Sequence, residues 1–403
     1  MKSEWTTYTV QELIDKEMLE PPMDGNHGEI HPKTTDYVKS GVPFIMANNL
    51  INGKVDYSNC SFITSKQAST LKKGFAHPGD VLLTHKATIG RTALVGTEYD
   101  TIILTPQVTY YRVKHGISNL YLKYYFDSNE FQQTLDNWAG SGSTRAYLGI
   151  TAQRKLPVVL PPFEIQTKIA EFGRILDDKI ELNNKVNENL FEQMQALYKA
   201  WFVDFKPFNG KQPESWHRDN IYSLAKIIYG APFASKQFNT EGNGTPIIRI
   251  RDLKEQQFTT YTTENHPKGY LLQPGDLVVG MDGEFRPYIW GNDKAWLNQR
   301  VCVFDNIRPE GKAFLYFTIK PLLYAIEQTQ VATTVIHIGK KDFDAFEVLV
   351  PENTVLDKFD AITSPMIKQI VSNSFENKYL ASLRDTLLPK LMSGEIDITA
   401  VNL

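Results

Sequence analysis

Hydrophobic residues recur at alternating spacings of four and three along two stretches of the chain. This heptad spacing is typical of helices that pack against a partner along a seam. The first stretch places at the seam Leu176, Ile180, Asn183, Asn187, Leu190, Met194, Leu197 and Trp201. The second, 190 residues further on, places there Met366, Ile370, Asn373, Asn377, Leu380, Arg384, Leu387 and Leu391. We therefore expect two long helices.

Asparagines occupy the same two seam positions in both stretches, Asn183 with Asn187 and Asn373 with Asn377. A polar residue in a helix seam fixes the register of pairing at a cost in stability. A single amphipathic helix packed on its own domain is the ordinary explanation of one such stretch, but it gives no reason for matched asparagines. We predict that the two helices pack on each other as an antiparallel coiled coil.

The segments that precede the two helices also resemble each other, which indicates an internal repeat. The matches, in the same order in both halves, are 41–45 with 244–248, 78–82 with 274–278, and 159–161 with 349–351. A single Pro-Gly-Asp turn, as at 78–80 and 274–276, is common, but several matches in register favour duplication. The two halves should therefore share one fold.

Within each half, short runs of β-branched and aromatic residues alternate with turn residues, and one helix pattern follows them. The predicted strands are 81–84, 108–113, 277–279 and 301–304, and the predicted helices are 120–135 and 314–328. The expected fold is α/β, with two mixed α/β domains separated by two long helices in a pseudo-twofold internal repeat. The predicted boundaries are 1–157 and 209–347 for the domains, and 158–208 and 348–403 for the helices.

The charge is unevenly distributed, although the net charge of −3 alone argues against a nucleic-acid partner. Residues 32–160 carry 14 Lys and Arg against 8 Asp and Glu, so this segment is basic enough to lie on phosphates. Residues 208–350 carry 16 basic and 16 acidic residues, which weakens the case that the second half binds nucleic acid. The sequence has two distant cysteines and shows neither a basic-then-apolar leader nor a long apolar run. We therefore expect a soluble cytoplasmic protein.

A duplex has twofold axes perpendicular to its length, so two repeated readers at a fixed distance suit a bipartite DNA target. Arg and Lys read guanine edges, Asn and Gln read adenine, and Asp and Glu read cytosine. The candidate base-contacting residues are Asn48, Asn49, Thr84, His85, Lys86 and Arg91 in the first half and Arg249, Arg251, Asp252, Asp282, Glu284 and Arg286 in the second. The two sets differ in chemistry at matching places, as two different half-sites would require. Neutral drift on exposed loops would give the same variety.

Two further segments have alternative interpretations. The loop at 140–145, which ends in Arg145 and is matched by Thr333-Thr334, is either a phosphate-binding loop or a flexible connection. The aromatic residues Trp201, Phe202 and Phe205 either pack the end of the first helix on the second domain or form a docking site for a partner. The histidines lack metal-ligand spacing with the cysteines, so no metal site is predicted.

Two runs of sequence, Leu-Pro-Pro-Phe-Glu-Ile-Gln-Thr-Lys-Ile-Ala at 160–170 and Leu-Arg-Asp-Thr-Leu-Leu-Pro-Lys-Leu-Met-Ser-Gly-Glu-Ile at 383–396, carry a family resemblance. Together with the order of domains and helices, they resemble the specificity subunit of type I restriction-modification systems over nearly the whole chain. The second half departs from this pattern, because Pro-Glu-Asn-Thr-Val-Leu at 351–356 lacks the second proline and the glutamine. The start of the second helix is therefore less well defined.

The resemblance implies that the chain acts inside a larger complex. Its expected partners are double-stranded DNA, two adenine methyltransferase subunits and the restriction and translocase subunits. S-adenosylmethionine and ATP with Mg²⁺ would then belong to the partners, with no cofactor in this chain. The sequence has no Asn-Pro-Pro-Tyr or Asp-Pro-Pro-Tyr motif and no Walker loop, which agrees with a subunit that has no catalytic site. A DNA-modifying enzyme with an unrecognised site and a purely structural coiled-coil scaffold are the alternatives.

Overall fold

A computed structural model describes residues 5–140, 146–328 and 337–400. The chain divides into two compact units, of which unit 1 contains residues 1–178 and 381–403 and unit 2 contains residues 179–380. Two long helices contribute residues to both units. None of the helices within the described ranges is long and apolar enough to span a bilayer.

Unit 1 is built from short strands, five short helices and the first part of a long one. Its strands are β1 (Thr6–Thr9), β2 (Met23–Asp24), β3 (Val42–Ile45), β4 (Leu50–Ile51), β5 (Gly53–Val55), β6 (Ser61–Ile63), β7 (Phe75–Ala76), β8 (Val81–Lys86), β9 (Thr88–Leu94), β10 (Ile102–Leu104), β11 (Val108–Tyr111) and β12 (Pro157–Leu160). Its helices are α1 (Val10–Asp15), α2 (Ser65–Ala68), α3 (Asn119–Asp127), α4 (Asn129–Ala139), α5 (Ile150–Gln153) and the start of α6 (Phe163–Tyr198).

Unit 2 repeats this plan with fewer strands. The strands are β13 (His217–Asn220), β14 (Ala225–Tyr229), β15 (Phe238–Asn239), β16 (Thr245–Ile248), β17 (Tyr261–Thr262), β18 (Leu277–Gly280), β19 (Pro287–Ile289), β20 (Trp296–Leu297), β21 (Val301–Asn306) and β22 (Glu347–Val350). The helices are α7 (Lys312–Gln328), α8 (Lys340–Asp344) and α9 (Asn353–Met392), whose last residues belong to unit 1.

The sheets of the two units contain the same three pairings. Strand β8 pairs antiparallel with β11 as β18 does with β21, and β3 pairs parallel with β10 as β16 does with β20. The first strand of each unit, β1 or β13, pairs antiparallel with the strand before the long helix, β12 or β22. The predicted repeat of two mixed α/β domains is thus confirmed.

The local sequence explains several of these elements. Strand β8 is buried on both faces, which suits its continuous apolar start of Val, Leu and Leu. Helices α3 and α4 begin where the hydroxyls of Ser118 and Ser128 accept backbone N–H groups of the first turn, at 3.3 and 3.4 Å. Helix α6 begins directly after Pro161-Pro162, where a proline fits because the first N–H groups of a helix have no helical partner.

The two long helices run antiparallel, as predicted, and their asparagines contact each other within unit 2. The amide Nδ2 of Asn183 donates to Oδ1 of Asn377 at 2.9 Å, and Nδ2 of Asn373 donates to Oδ1 of Asn187 at 2.8 Å. Residue numbers rise on α6 as they fall on α9. Every predicted seam position is buried or half-buried. The helix bounds fall inside the predicted segments 158–208 and 348–403, while the domain boundaries themselves remain predictions.

Each unit has its own hydrophobic core, to which the long helices contribute. In unit 1 the core joins Ile169 of α6 and Leu391 of α9 to the aromatic residues of α3. In unit 2 it joins Met194 of α6 and Phe359 of α9 to the apolar face of α7. The long helices are therefore structural parts of both domains and not free linkers.

Candidate nucleic-acid interface

The hairpin of strands β8 and β9 carries the first group of predicted base-contacting residues. Its tip is tight, because Ala87 adopts a φ of 65° and Lys86 pairs directly with Thr88. Lys86 and Arg91 are exposed, and Lys86 also forms an isolated bridge to Tyr147. These two cations are therefore available at the surface of unit 1.

Thr84 and His85, on the same hairpin, point into the protein. Thr84 is fully buried, and its hydroxyl accepts the backbone N–H of Arg91 at 2.9 Å. His85 is 1% exposed, and its Nδ1 lies 3.1 Å from the carbonyl oxygen of Leu148. Burial lowers the pKa of His85 and so favours the neutral ring. Their burial removes both from the set of candidate base-contacting residues in this conformation.

A short turn after β3 shows which of two adjacent asparagines faces outward. Asn49 is 2% exposed, and its Oδ1 accepts the backbone N–H of Met46 at 2.9 Å, which closes the turn. Asn48 is exposed. The prediction named both residues, but only Asn48 presents an amide to solvent.

The equivalent turn after β16 is closed in the same way. Asp252 is 4% exposed, and its Oδ2 accepts the backbone N–H of Arg249 at 3.0 Å. Arg249 is half-buried, and its guanidinium donates to the hydroxyl of Thr259 at 3.1 Å and to that of Thr260. Arg251 is exposed. Thus the same three-residue turn exposes one side chain in each unit, Asn48 in unit 1 and Arg251 in unit 2.

In unit 2, ion pairs hold two of the three candidate base-contacting residues that follow strand β18. Asp282 forms an isolated bridge to His337, whose Nδ1 lies 2.7 Å from Oδ1 of Asp282. Arg286 is held by Glu327, with Nη2 donating to Oε1 at 2.9 Å, and this hydrogen bond lowers the pKa of Glu327. Glu284 is exposed. The structure therefore leaves Glu284 as the exposed member of this group.

An open cleft of about 480 Å³ lies beside Arg91 in unit 1. Its lining residues are Leu50, Ile51, Asn52, Gly53, Gly90, Arg91, Thr92 and Asp127. Asn52 has a φ of 52° and Gly90 a φ of 88°, so tight backbone turns form two of its edges. Arg145 and most of its glycine-serine loop, like Thr333-Thr334, lie outside the described residues.

The aromatic residues at the end of α6 pack within unit 2, which is the first of the two interpretations given above. Phe202 is 6% exposed and meets Phe314 edge-on, with ring centroids 4.8 Å apart. Trp201 contacts Phe359 at 5.9 Å, and Phe205 contacts Trp216. Trp201 and Phe205 are half-buried, and the docking role of Trp201, Phe202 and Phe205 remains a prediction. Across the described ranges, no group of three or more His, Cys, Asp or Glu side chains is arranged to hold a metal ion.

The exposed candidates Asn48, Lys86, Arg91, Arg251 and Glu284 thus lie on turns and hairpins of two repeated α/β domains. The sequence model of the family described as "Type I restriction modification DNA specificity domain" matches residues 2–192 and 213–370. The chain belongs to this family of DNA-specificity proteins, which confirms the resemblance seen in the sequence.

Individual relatives agree with this assignment. The MjaIX specificity subunit of Methanocaldococcus jannaschii is 25% identical over 391 residues, which cover 91% of this chain and 89% of the relative. The EcoBI specificity subunit of Escherichia coli is 36% identical over 188 residues, 45% of this chain and 40% of the relative. A crystal structure of the S subunit from M. genitalium has the same fold, with a TM-score of 0.55, 15% identity and 96% of each chain covered.

Proposed function

We propose that this chain is the DNA-reading subunit of a type I restriction-modification complex, with one half-site of a bipartite target read by each unit. The observation that carries the proposal is the pair of equivalent turns after β3 and β16. Both turns are closed by a buried side chain, Asn49 or Asp252, and each exposes one neighbour. Asn48 suits an adenine edge and Arg251 suits a guanine edge. One scaffold thus offers different recognition chemistry at the same place in two domains.

The chain itself performs no chemistry in this proposal. Two methyltransferase subunits and the restriction and translocase subunits are its proposed protein partners, and they bind S-adenosylmethionine and ATP with Mg²⁺. The reader contributes binding energy to bases and phosphates, and the partners act on the DNA that it selects. The names of the relatives, which are specificity subunits of type I restriction enzymes, support this division of labour.

The test is a domain exchange followed by sequencing of methylated DNA. Residues 10–156, which lie between the paired strands β1 and β12, are replaced by the same segment of a relative with a different target. The exchange is expected to change one half-site of the methylated motif and to leave the other half-site and the gap between them unchanged. A matched exchange of residues 221–346, between β13 and β22, should change only the other half-site.

Two results would overturn the proposal. One is a change in both half-sites after the first exchange, because the units would then not read DNA independently. The other is methyl transfer by the purified chain without a partner, because the chain would then be an enzyme. A complex in which loss of this chain leaves the methylated motif intact would favour the purely structural scaffold.

A further inference from the structure

A continuous chain of polar contacts runs through unit 1 from strand β9 to both long helices. It consists of Thr92 on β9, Lys123, Tyr124 and Asp127 on α3, Asp177 on α6 and Arg384 on α9, and we call it the Asp177 network. None of these residues was among the sequence candidates except Arg384, which was noted only as a seam position. The sequence signal was available, since a basic residue stands at a seam position that is apolar in the other half.

The first part of the network connects β9 to α3. The hydroxyl of Thr92 donates to Oδ1 of Asp127, and Nζ of Lys123 lies 2.9 Å from Oδ2 of the same carboxylate. Lys123 is 7% exposed, and its Nζ also lies 4.2 Å from the ring centroid of Tyr124. A buried ammonium group with these partners has little freedom to move.

The second part of the network connects α3 to the long helices. Oδ2 of Asp177 accepts the hydroxyl of Tyr124 at 2.6 Å and lies 3.8 Å from Nζ of Lys123. Oδ1 of Asp177 accepts a hydrogen bond from Nη1 of Arg384. One carboxylate on α6 therefore holds α3 on one side and α9 on the other. Burial, with the neighbouring Asp177 carboxylate, raises the pKa of Tyr124.

Two glycines allow the backbone to approach Lys123 and Tyr124 closely. A Cβ atom at Gly53 would lie 2.6 Å from Nζ of Lys123, and one at Gly173 would lie 2.7 Å from the ring of Tyr124. Unit 2 fills the positions equivalent to Asp177 and Arg384 with Ile367 and Met194, both buried in its core. An apolar pair is thus compatible with this fold, and an ion pair that stays partly exposed, as Asp177 and Arg384 do, usually adds little net stability. The network needs a reason other than stability.

We infer that the Asp177 network fixes the position of the β8–β9 hairpin on the two long helices, and that Asp177 is a positioning residue for recognition of the first half-site. The inference rests on the proposed function and adds to it that this hairpin, which exposes the candidate base-contacting residues Lys86 and Arg91, faces DNA. Arg91, exposed beside the cleft, directly precedes Thr92, the residue that anchors the hairpin to the network. Direct readout of bases needs side chains held to within about 0.5 Å, and directional bonds give that precision better than apolar contacts do.

The experiment uses the complex of the full chain with its methyltransferase partner and DNA duplexes of the target established by methylation sequencing. The rate of methylation is measured for the cognate duplex and for duplexes with one substituted base pair in either half-site. Asp177→Asn keeps the shape of the side chain and removes its charge. Asp178→Asn is the matched control, because Asp178 is the next residue on the same helix and forms an exposed pair with Arg174.

With Asp177→Asn, discrimination against substitutions in the first half-site is expected to fall about tenfold, the scale of energetic coupling through packed networks. Discrimination in the second half-site should stay unchanged, and Asp178→Asn should change neither. Equal losses in both half-sites would show a merely structural role, and no loss would show that the network does not position the hairpin. Either result overturns the inference. If the wild-type complex shows no sequence preference, the proposed function fails instead.

A second variant covers the case in which Asp177→Asn does not fold. Asp177→Ile combined with Arg384→Met transfers the apolar pair of unit 2 to unit 1. This variant leaves the Tyr124 hydroxyl without its acceptor, so it is expected to melt below the wild-type temperature, yet to remain folded and to lose discrimination in the first half-site. If it keeps full discrimination, apolar packing positions the hairpin equally well and the inference is wrong. Tyr124→Phe, which removes a single hydrogen bond, should give a smaller loss in the same half-site, and an unchanged value would contradict the inference.

Discussion

Units 1 and 2 share strand pairings, but equivalent buried positions in the two units carry side chains of different chemistry. In unit 1, Gln153 of α5 is fully buried, and its Oε1 accepts the hydroxyl of Tyr111 at 2.8 Å. In unit 2 the equivalent residues are Phe343 of α8 and Phe304 of β21, whose rings meet edge-on with centroids 5.2 Å apart. A polar pair in one unit thus corresponds to an aromatic pair in the other.

The same contrast occurs at the start of the long helices. Gln166 of α6 is 1% exposed, its Oε1 accepts the N–H of Ser118 at 2.9 Å, and its Nε2 donates to the carbonyls of Gly116 and Pro161. The equivalent residue on α9 is Leu356, which is 2% exposed. The Asp177 network continues the pattern further along the helices.

This difference separates two properties of a protein core: the stability that it supplies and the precision with which it fixes individual side chains. Apolar contacts supply stabilisation in proportion to buried area and tolerate small shifts. Hydrogen-bonded networks add less net stability, but they leave costly unpaired groups when one partner is lost. We therefore expect the stability of unit 2 to depend on the volume of its buried side chains, and that of unit 1 to depend on the identity of individual polar atoms.

The largest effect is expected from removing volume in unit 2. Phe343→Ala should destabilise the protein by about 3–5 kcal/mol, because it leaves a cavity among fully buried rings. Denaturant unfolding of the full chain measures this loss. Phe163→Ala is the control, since Phe163 is 52% exposed and its loss should fall within about 0.5 kcal/mol of zero. A cost below that of the control would show that the aromatic cluster is not the main support of unit 2.

A smaller effect with a diagnostic recovery is expected in unit 1. Gln153→Leu should cost about 1–3 kcal/mol, because the buried hydroxyl of Tyr111 loses its acceptor. Adding Tyr111→Phe removes that unpaired hydroxyl and should recover most of the loss. A double-mutant cycle with denaturant unfolding measures the coupling. Simple additivity of the two changes would contradict the view that unit 1 depends on paired polar atoms.

Substitution of the seam asparagines should increase stability, in contrast to the two changes above. Replacing the bonded pair Asn183 and Asn377 with leucine is expected to raise stability by about 1 kcal/mol, since a polar layer in a coiled coil costs stability. The same change should permit other pairings, which light scattering after gel filtration would detect as self-association. Leu in place of Asn183 alone should gain less, because it leaves Asn377 with one fewer donor. Unchanged stability and assembly would argue against a register role.

The smallest effect concerns the equivalent aspartates of the two Pro-Gly-Asp turns. Burial raises the pKa of Asp276, although the N–H of Gln273 and the hydroxyl of Tyr270 oppose this shift. The folded state then binds a proton more tightly than the unfolded state, so this group favours folding at low pH and loses that contribution as pH rises through its raised pKa. Asp276→Asn should thus stabilise unit 2 by a few tenths of a kcal/mol at neutral pH.

The pH dependence and the other unit provide the check on that change. The gain should vanish near about pH 3, where the wild-type carboxyl is protonated. Asp80→Asn in unit 1 should instead destabilise, because Asp80 accepts two hydrogen bonds from Arg112 at 2.9 and 2.8 Å. Thermal melts across pH measure both variants. The same sign for the two substitutions would remove this contrast between the units.

The long-range pattern of the fold was predictable because it rests on periodicity. Heptad spacing and matched asparagines predicted two long helices that pack on each other, the order of domains and helices predicted that they run antiparallel, and repeated turns predicted two equivalent domains. The burial of individual polar residues was harder to foresee, since Asn49 and Asp252 look like exposed loop residues until their turns are closed. A polar residue three positions after the first residue of such a turn is a capping signal, and it could have separated Asn49 from Asn48. Contacts such as those of Asp177 join elements far apart in sequence, so no local pattern reports them.

The pairing of β1 with β12 and of β13 with β22 has a consequence for recombination between related genes. Thr6 lies opposite Leu160, and His217 lies opposite Val350, so each reading domain enters and leaves its scaffold at one place. A segment with adjacent ends can be replaced as a block while the rest of the chain keeps its contacts. Genetic recombination with crossovers in the codons of these four strands would therefore yield folded offspring with new targets. Point mutation, by contrast, must change one base preference at a time without unpairing a buried group.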